Sequence, residues 1–202
     1  MTNAPAQLVL ASTSPYRRAL LERLRLPFTT ASPQVDELPR PSESPRALAQ
    51  RLAIAKAEAV AKLHRDAWVV GADQVAECDD DVLGKPGTAE RARMQLAMCS
   101  GRVVTFHTAV RLMDAHGDTH THVDATRVKF RVLESEEIAR YVELDEPLDC
   151  AGSFRSEGLG IVLFERIETD DPTALVGLPL LWLAGALRKA GFDPLTLPPQ
   201  CP

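Results

Sequence analysis

The stretch from Leu8 to Leu24 reads LVLASTSPYRRALLERL. Its first four residues, Leu8-Val9-Leu10-Ala11, are apolar and β-prone and predict a short buried strand. Ser12-Thr13-Ser14 then reads as a loop. Ser14 suits an N-cap, and Pro15 suits the first helical position, where a missing N–H leaves nothing unpaired. Leu20, Leu21 and Leu24 supply an apolar face at helical spacing. The unit is therefore strand, tight loop, helix, the repeating element of an α/β fold. It also places Arg17 and Arg18 in the first turn of the helix, against the partial positive charge that a helix N-terminus already carries. Two readings stand side by side. An anion sits at this end, held by free N–H groups, hydroxyls and guanidinium forks. Or both arginines face water and pair with surface carboxylates.

The chain has 202 residues, is 45% hydrophobic and 25% charged, and carries a formal net charge of -5. This composition suits one globular α/β domain, or two closely packed lobes, spanning residues 1–202. The net negative charge argues against nucleic acid as a partner but leaves room for a small anionic ligand at a local cationic cluster. Cys78, Cys99, Cys150 and Cys201 are widely spaced with no C-x-x-C, so free thiols in a reducing cytoplasm are expected rather than a zinc site. The first residues lack a basic signal-peptide region. The longest uncharged stretch, Thr173 to Leu187, contains Pro179 and is too short to span a bilayer.

Further along, Ser44-Pro45 repeats the cap-plus-proline start and predicts a helix from about Arg46 to Leu63, with Leu48, Leu52, Ala55, Ala59 and Leu63 inward. Trp68 to Ala72 predicts a buried strand, and Val82 to Pro86 a short extended piece. Helices are expected over Ala89–Cys99, Ser135–Leu144 with Ser135 as cap, and Leu178–Ala190. Two strands, Arg102–Asp114 and Thr119–Leu133, pair as a hairpin around His116-Gly117-Asp118. Residues 150–160, CAGSFRSEGLG, form a glycine-rich loop before a strand over Ile161–Ile167. The expected architecture is a mixed sheet flanked by helices.

Asp73 stands out among the residues able to carry chemistry. Placed at the carboxyl end of an apolar strand, it sits where α/β sheets bind ligands and suits a general base or a metal ligand; capping the next turn is the plainer role. Lys56 borders an apolar helix face, where snorkelling is common. Lys85 is fixed between Gly84 and Pro86. Either lysine can serve a phosphate as a point charge. Glu37 and Glu157 are loop carboxylates whose interest depends on being brought near the first helix. His120 and His122 share a strand face, but no third metal ligand is evident and a solvated strand is expected.

These pieces in order resemble the Maf family of nucleotide pyrophosphatases. LASTSPYRRALL resembles the family's opening motif. The likeness continues through Val35-Asp36-Glu37, Lys56, Gly71-Ala72-Asp73, Gly84-Lys85-Pro86, Ala151-Gly152 and Val176-Gly177-Leu178-Pro179. The resemblance implies a long, curved mixed sheet in two lobes with a central cleft, similar to the inosine triphosphate pyrophosphatase fold. It implies hydrolysis of a nucleoside triphosphate between the α- and β-phosphates with a divalent cation, Mg²⁺ or Mn²⁺. Ser12, Ser14, Arg17, Arg18, Lys56 and Lys85 are then expected to hold the triphosphate, Asp73 to accept the proton or hold metal, and Glu37 to help hold the metal. The resemblance also admits a homodimer.

The family divides by base preference. Where the dTTP/UTP branch has Arg, Thr and Gln, this chain has Tyr16, Gln74 and Glu157. That combination looks like the branch acting on 7-methyl-GTP. The chemistry agrees, because N7-methylation makes guanine a cationic ring that stacks on an aromatic face and attracts a carboxylate. A carboxylate also accepts from the guanine N1–H and amino group. The alternatives are a dTTP/UTP or broader modified-nucleotide pyrophosphatase, and a nucleotide-binding regulator of cell division without catalysis.

Overall fold

The computed structural model describes residues 7–79, 81–114 and 116–196. Seven strands form one mixed sheet: β1 (Gln7–Ala11), β2 (Thr29–Ala31), β3 (Ala67–Cys78), β4 (Asp81–Leu83), β5 (Val103–Met113), β6 (Thr119–Phe130) and β7 (Phe164–Glu168). The order is β2-β1-β3-β5-β6-β7, with β4 also on β3. β1 pairs in parallel with β2 and β3, and every other pairing is antiparallel. Among the described residues, five α-helices flank the sheet: α1 (Pro15–Glu22), α2 (Pro45–Ala61), α3 (Ala89–Cys99), α4 (Ser135–Asp145) and α5 (Leu180–Lys189).

Strand β3 organises the molecule. β5 pairs with one edge of it continuously from Val69 to Cys78. The other edge is shared. β1 covers Ala67 to Gly71, β4 covers Ala76 to Cys78, and among the described residues no strand lies beside Ala72 to Val75 on this edge. A cleft opens at this break. Apolar cores lie to either side of it. One gathers α1 and α5 on β1 and the first half of β3. The other gathers α3 and α4 on β5, β6 and the second half of β3, with Phe106 and Phe130 wholly buried.

Both serine-proline starts form as expected. The Ser14 and Ser44 side chains accept from the N–H groups of Arg17 and Ala47, and Pro15 and Pro45 open the helices. The inward face of α2 differs from the periodicity reading. Ala55 and Ala59 are only half-buried and Leu63 is 81% exposed, whereas Leu48, Ala49, Leu52, Ala53, Lys56, Ala57 and Val60 point inward. The reason is close packing on a glycine. A Cβ on Gly71 would collide with the Ala53 carbonyl and the Ala57 backbone, so the small residues, not the leucines alone, face the sheet. This rotation carries Lys56 into the interior.

Asp73 also differs from expectation. It lies inside a twelve-residue strand, not at its end. The parallel neighbour is what ends there, since Ala11 pairs with Gly71 and the chain then turns away as Ser12. Three boundaries move for identifiable reasons. Ser135 is the first residue of α4, and the preceding Glu134 N–H donates to Glu137. The last strand starts at Phe164 because Leu159–Leu163 forms a 3₁₀ turn. α5 starts at Leu180, where Thr173 Oγ1 and Asp171 Oδ2 accept the first free N–H groups.

Candidate active site

The break in the sheet opens into a cleft of about 570 Å³. Of the residues singled out from the sequence, it is lined by Ser12, Ser14, Tyr16, Arg17, Glu37, Lys56, Asp73, Gln74, Lys85 and Glu157. Arg18 is not among them. Its side chain is 62% exposed and pairs with Glu22 one turn along the helix, so the structure does not bring it into the cleft.

At the floor lies a charge cluster in which Lys56 and Asp73 are buried and Glu37 is exposed. Lys56 Nζ donates to Asp73 Oδ1 at 2.6 Å and also meets Glu37 Oε1 at 2.7 Å. Lys56 and Asp73 are 6% and 7% exposed. Burial pushes the Asp73 carboxyl above its ordinary range, opposed by Lys56 and Arg17. Arg17 reaches in from α1, and its Nε donates to the Gly177 carbonyl at 3.0 Å. Burial lowers its pKa, while the charges of Asp73 and Glu37 act the other way. Lys56 was expected to meet phosphate, but its ammonium is engaged by two carboxylates. Lys85 is exposed at the rim and makes no hydrogen bond or ion pair among the described residues. Ser12 is buried, and its Oγ accepts the Ser14 N–H at 3.1 Å, which shapes the loop before α1.

The two carboxylates also bear on a metal. Among the described residues, no group of three or more His, Cys, Asp or Glu side chains converges to hold one. Asp73 and Glu37 nevertheless meet at one cationic atom, Lys56 Nζ. A hard divalent cation needs no more protein than one or two carboxylates when phosphate oxygens and water complete its shell. The residues present therefore fit such an ion as a partner of a phosphate ligand. His120 and His122 lie elsewhere, near Asp118 and stacked on Trp182 respectively.

A second group of side chains stands farther along the cleft. The Tyr16 hydroxyl donates to Asp149, at 3.3 Å from each carboxylate oxygen, and receives the Cys150 thiol at 3.7 Å. Burial holds the Tyr16 phenol up at about 12 and the Cys150 thiol at about 12, so both stay protonated near neutrality. Gln74 Nε2 donates to Thr108 Oγ1 and to the Ala174 and Leu175 carbonyls, at 2.9 to 3.0 Å. All three partners accept, which fixes the amide orientation and leaves Gln74 Oε1 as the acceptor available to a ligand. Glu157 is exposed at the end of the glycine-rich loop. Asp149, Cys150 and Arg155 line the same region, and reading the sequence did not single them out. Arg155 alone had a local signal, a cation within a glycine-rich loop.

Comparison with known proteins gives one family. The model described as "Maf-like protein" matches residues 7–190. A "7-methyl-GTP pyrophosphatase" of Xanthomonas axonopodis pv. citri (strain 306) is 59% identical over 187 residues, covering 93% of this chain and 98% of that protein. One of the same description from Cupriavidus metallidurans is 52% identical over 186 residues, covering 92% and 94%. Among solved structures, the Staphylococcus aureus Ham1 protein superposes with a TM-score of 0.46 at 15% identity, over 61% of this chain and 71% of that one.

Proposed function

Because the chain belongs to the Maf family, we propose that it hydrolyses 7-methyl-GTP to 7-methyl-GMP and pyrophosphate with the help of a divalent cation. The observation that carries this reading is the cleft itself. A buried carboxylate-lysine cluster at its floor adjoins Arg17 and the α1 N-terminus, and Tyr16 and Glu157 stand along the same wall. The described residues include no helix long and apolar enough to cross a membrane. We place the reaction in the cytoplasm, where thiols such as Cys78, Cys99 and Cys150 stay reduced.

The triphosphate lies against the α1 N-terminus, with Ser12, Ser14, Arg17 and Lys85 as its partners. The substrate brings the negative charge that the first turn of α1 lacks. Asp73 is the base. Its Oδ1 is occupied by Lys56, so Oδ2 takes a proton from the attacking water. The water oxygen bonds the α-phosphorus, and the bond from that phosphorus to the bridging oxygen of the β-phosphate breaks, releasing pyrophosphate. Burial makes Asp73 a stronger base than an exposed carboxylate. Lys56 fixes its orientation. Glu37 would help hold the divalent cation, with Asp73 as its second ligand where Asp73 acts through the ion rather than as the base; when bound, the ion would supply positive charge to the departing pyrophosphate. The Tyr16 face stacks on the cationic base, Glu157 accepts from the guanine N1–H and amino group, and Gln74 Oε1 offers a further acceptor.

Two experiments test this reading. Pyrophosphate release is expected to vanish in EDTA and return with added Mg²⁺ or Mn²⁺. Glu157→Gln is expected to lower kcat/KM for 7-methyl-GTP by about tenfold or more, the scale of one charge-assisted hydrogen bond, with a smaller loss on UTP. Equal losses on both nucleotides would remove Glu157 from base recognition.

The two arginines separate just as clearly. Arg17→Ala is expected to raise KM by about tenfold or more, since it removes a guanidinium inside the cleft. Arg18→Ala removes an exposed pair and is expected to change KM by less than about threefold. A larger effect from Arg18 would show that its side chain leaves Glu22 to meet the substrate.

A further inference from the structure

Glu157 reaches the cleft from a clamped turn. The Gly158 N–H donates to the Arg155 carbonyl at 3.2 Å, which leaves Ser156 and Glu157 at the tip. The base of the turn is fixed by α4. The Arg155 N–H donates to Tyr141 Oη at 3.2 Å, and the Tyr141 hydroxyl donates to Asp145 Oδ2 at 2.8 Å. The Arg155 guanidinium closes the circuit on Asp145, with Nη2 to Oδ1 at 3.2 Å and Nε to Oδ2 at 3.4 Å. Two glycines let the pieces close up. A Cβ on Gly160 would collide with the Arg155 backbone, and one on Gly158 would sit 3.2 Å from Asp145 Oδ1.

Tyr141 is 3% exposed and the Asp145 side chain 13%, and neither lines the cleft. Burial raises the Tyr141 phenol, so it stays protonated and can donate to Asp145 while accepting from Arg155. Nothing in the hydrolytic step uses this circuit. It meets the cleft through Arg155, which lines it near Tyr16, and through the turn that Arg155 anchors, which carries Glu157. A carboxylate at the tip of a glycine-flanked turn pays an ordering cost on binding unless it is held beforehand.

We propose that Tyr141 and Asp145 are positioning residues for base selection, acting through Arg155 to hold the turn that presents Glu157. The proposal rests on the reading that Glu157 recognises the base. Tyr141→Phe keeps the buried ring and removes the hydroxyl; Asp145→Asn keeps the shape and removes the charge. For each, kcat and KM are measured with 7-methyl-GTP and with UTP, beside Glu157→Gln and the double variant Tyr141→Phe/Glu157→Gln. KM for 7-methyl-GTP is expected to rise about five- to tenfold in either α4 variant, the scale of one hydrogen bond. KM for UTP and both kcat values are expected to stay within about twofold, and Tyr141→Phe is expected to add nothing to Glu157→Gln.

A rise in KM shared equally by both nucleotides overturns the proposal, as does an unchanged KM or an additive double variant. If Glu157→Gln leaves the ratio of 7-methyl-GTP to UTP turnover unchanged, the base-recognition reading fails and this one with it. If Glu157→Gln lowers that ratio and neither α4 variant does, the positioning role alone fails. Should Tyr141→Phe not fold, Asp145→Asn carries the same comparison.

Discussion

Asp73→Asn is expected to lower kcat for pyrophosphate release by about 10²- to 10⁴-fold, the range supplied by a positioned general base. The substitution keeps the shape of the side chain, and its amide oxygen can still accept from Lys56. It removes the oxygen that takes the proton and one of the two carboxylates facing Lys56. Nucleotide binding, followed by calorimetry, is expected to survive, because Arg17, Lys85 and the α1 N-terminus are untouched. Loss of turnover with binding retained separates a pyrophosphatase from a nucleotide-binding regulator. Turnover within about tenfold of the parent chain would place the base elsewhere, since one group in that role contributes at least about 10².

Gly71→Ala is expected to destabilise the fold and the site together. The added Cβ meets the Ala53 carbonyl and the Ala57 backbone, and neither can move without shifting α2. Overpacking of this kind costs about 1–3 kcal/mol. In a domain of this size that corresponds to a fall of about 2–12 °C in the melting temperature. The effect reaches function as well. α2 carries Lys56 and β3 carries Asp73, so a helix pushed off the sheet pulls apart the 2.6 Å contact between them. Activity is therefore expected to fall even at temperatures where the variant is folded. Gly185→Ala is the control. It adds the same methyl group inside α5, where nothing lies within 4 Å, and is expected to stabilise by about 0.5–1 kcal/mol. The melting temperatures of the two variants should move in opposite directions. Equal shifts would mean that the packing of α2 on Gly71 is not what fixes the helix.

What could be read from the sequence followed the range of the forces involved. The Ser14-Pro15 and Ser44-Pro45 starts, the Ala89–Cys99 helix and the hairpin at residues 116–118 are local, and the structure has them where caps and alternation put them. The inward face of α2 was not local. Leucine spacing points to one face, but the empty volume above Gly71 selects another, and Lys56 turns inward with it. The start of α5 likewise depends on Asp171 and Thr173, which reach it across a turn.

The same distinction holds at the site. Tyr16, Arg17, Asp73, Gln74 and Glu157 could be named from motifs. Their partners could not. The pairing of Lys56 with both Glu37 and Asp73 joins three separate segments. The engagement of Tyr16 by Asp149 joins residues 133 positions apart. Arg18 shows the converse. Its neighbour Arg17 enters the cleft, but one residue along a helix is a turn of about 100°, and that rotation carries Arg18 to Glu22.

The most direct test of the central claim is product analysis with 7-methyl-GTP, GTP, UTP and dTTP, each with Mg²⁺ or Mn²⁺. The largest kcat/KM is expected for 7-methyl-GTP, with 7-methyl-GMP and pyrophosphate formed in equal amounts. Release of inorganic phosphate in place of pyrophosphate would contradict the attack at the α-phosphorus. Preference for UTP or dTTP would contradict the assignment of Tyr16, Gln74 and Glu157 to a cationic purine.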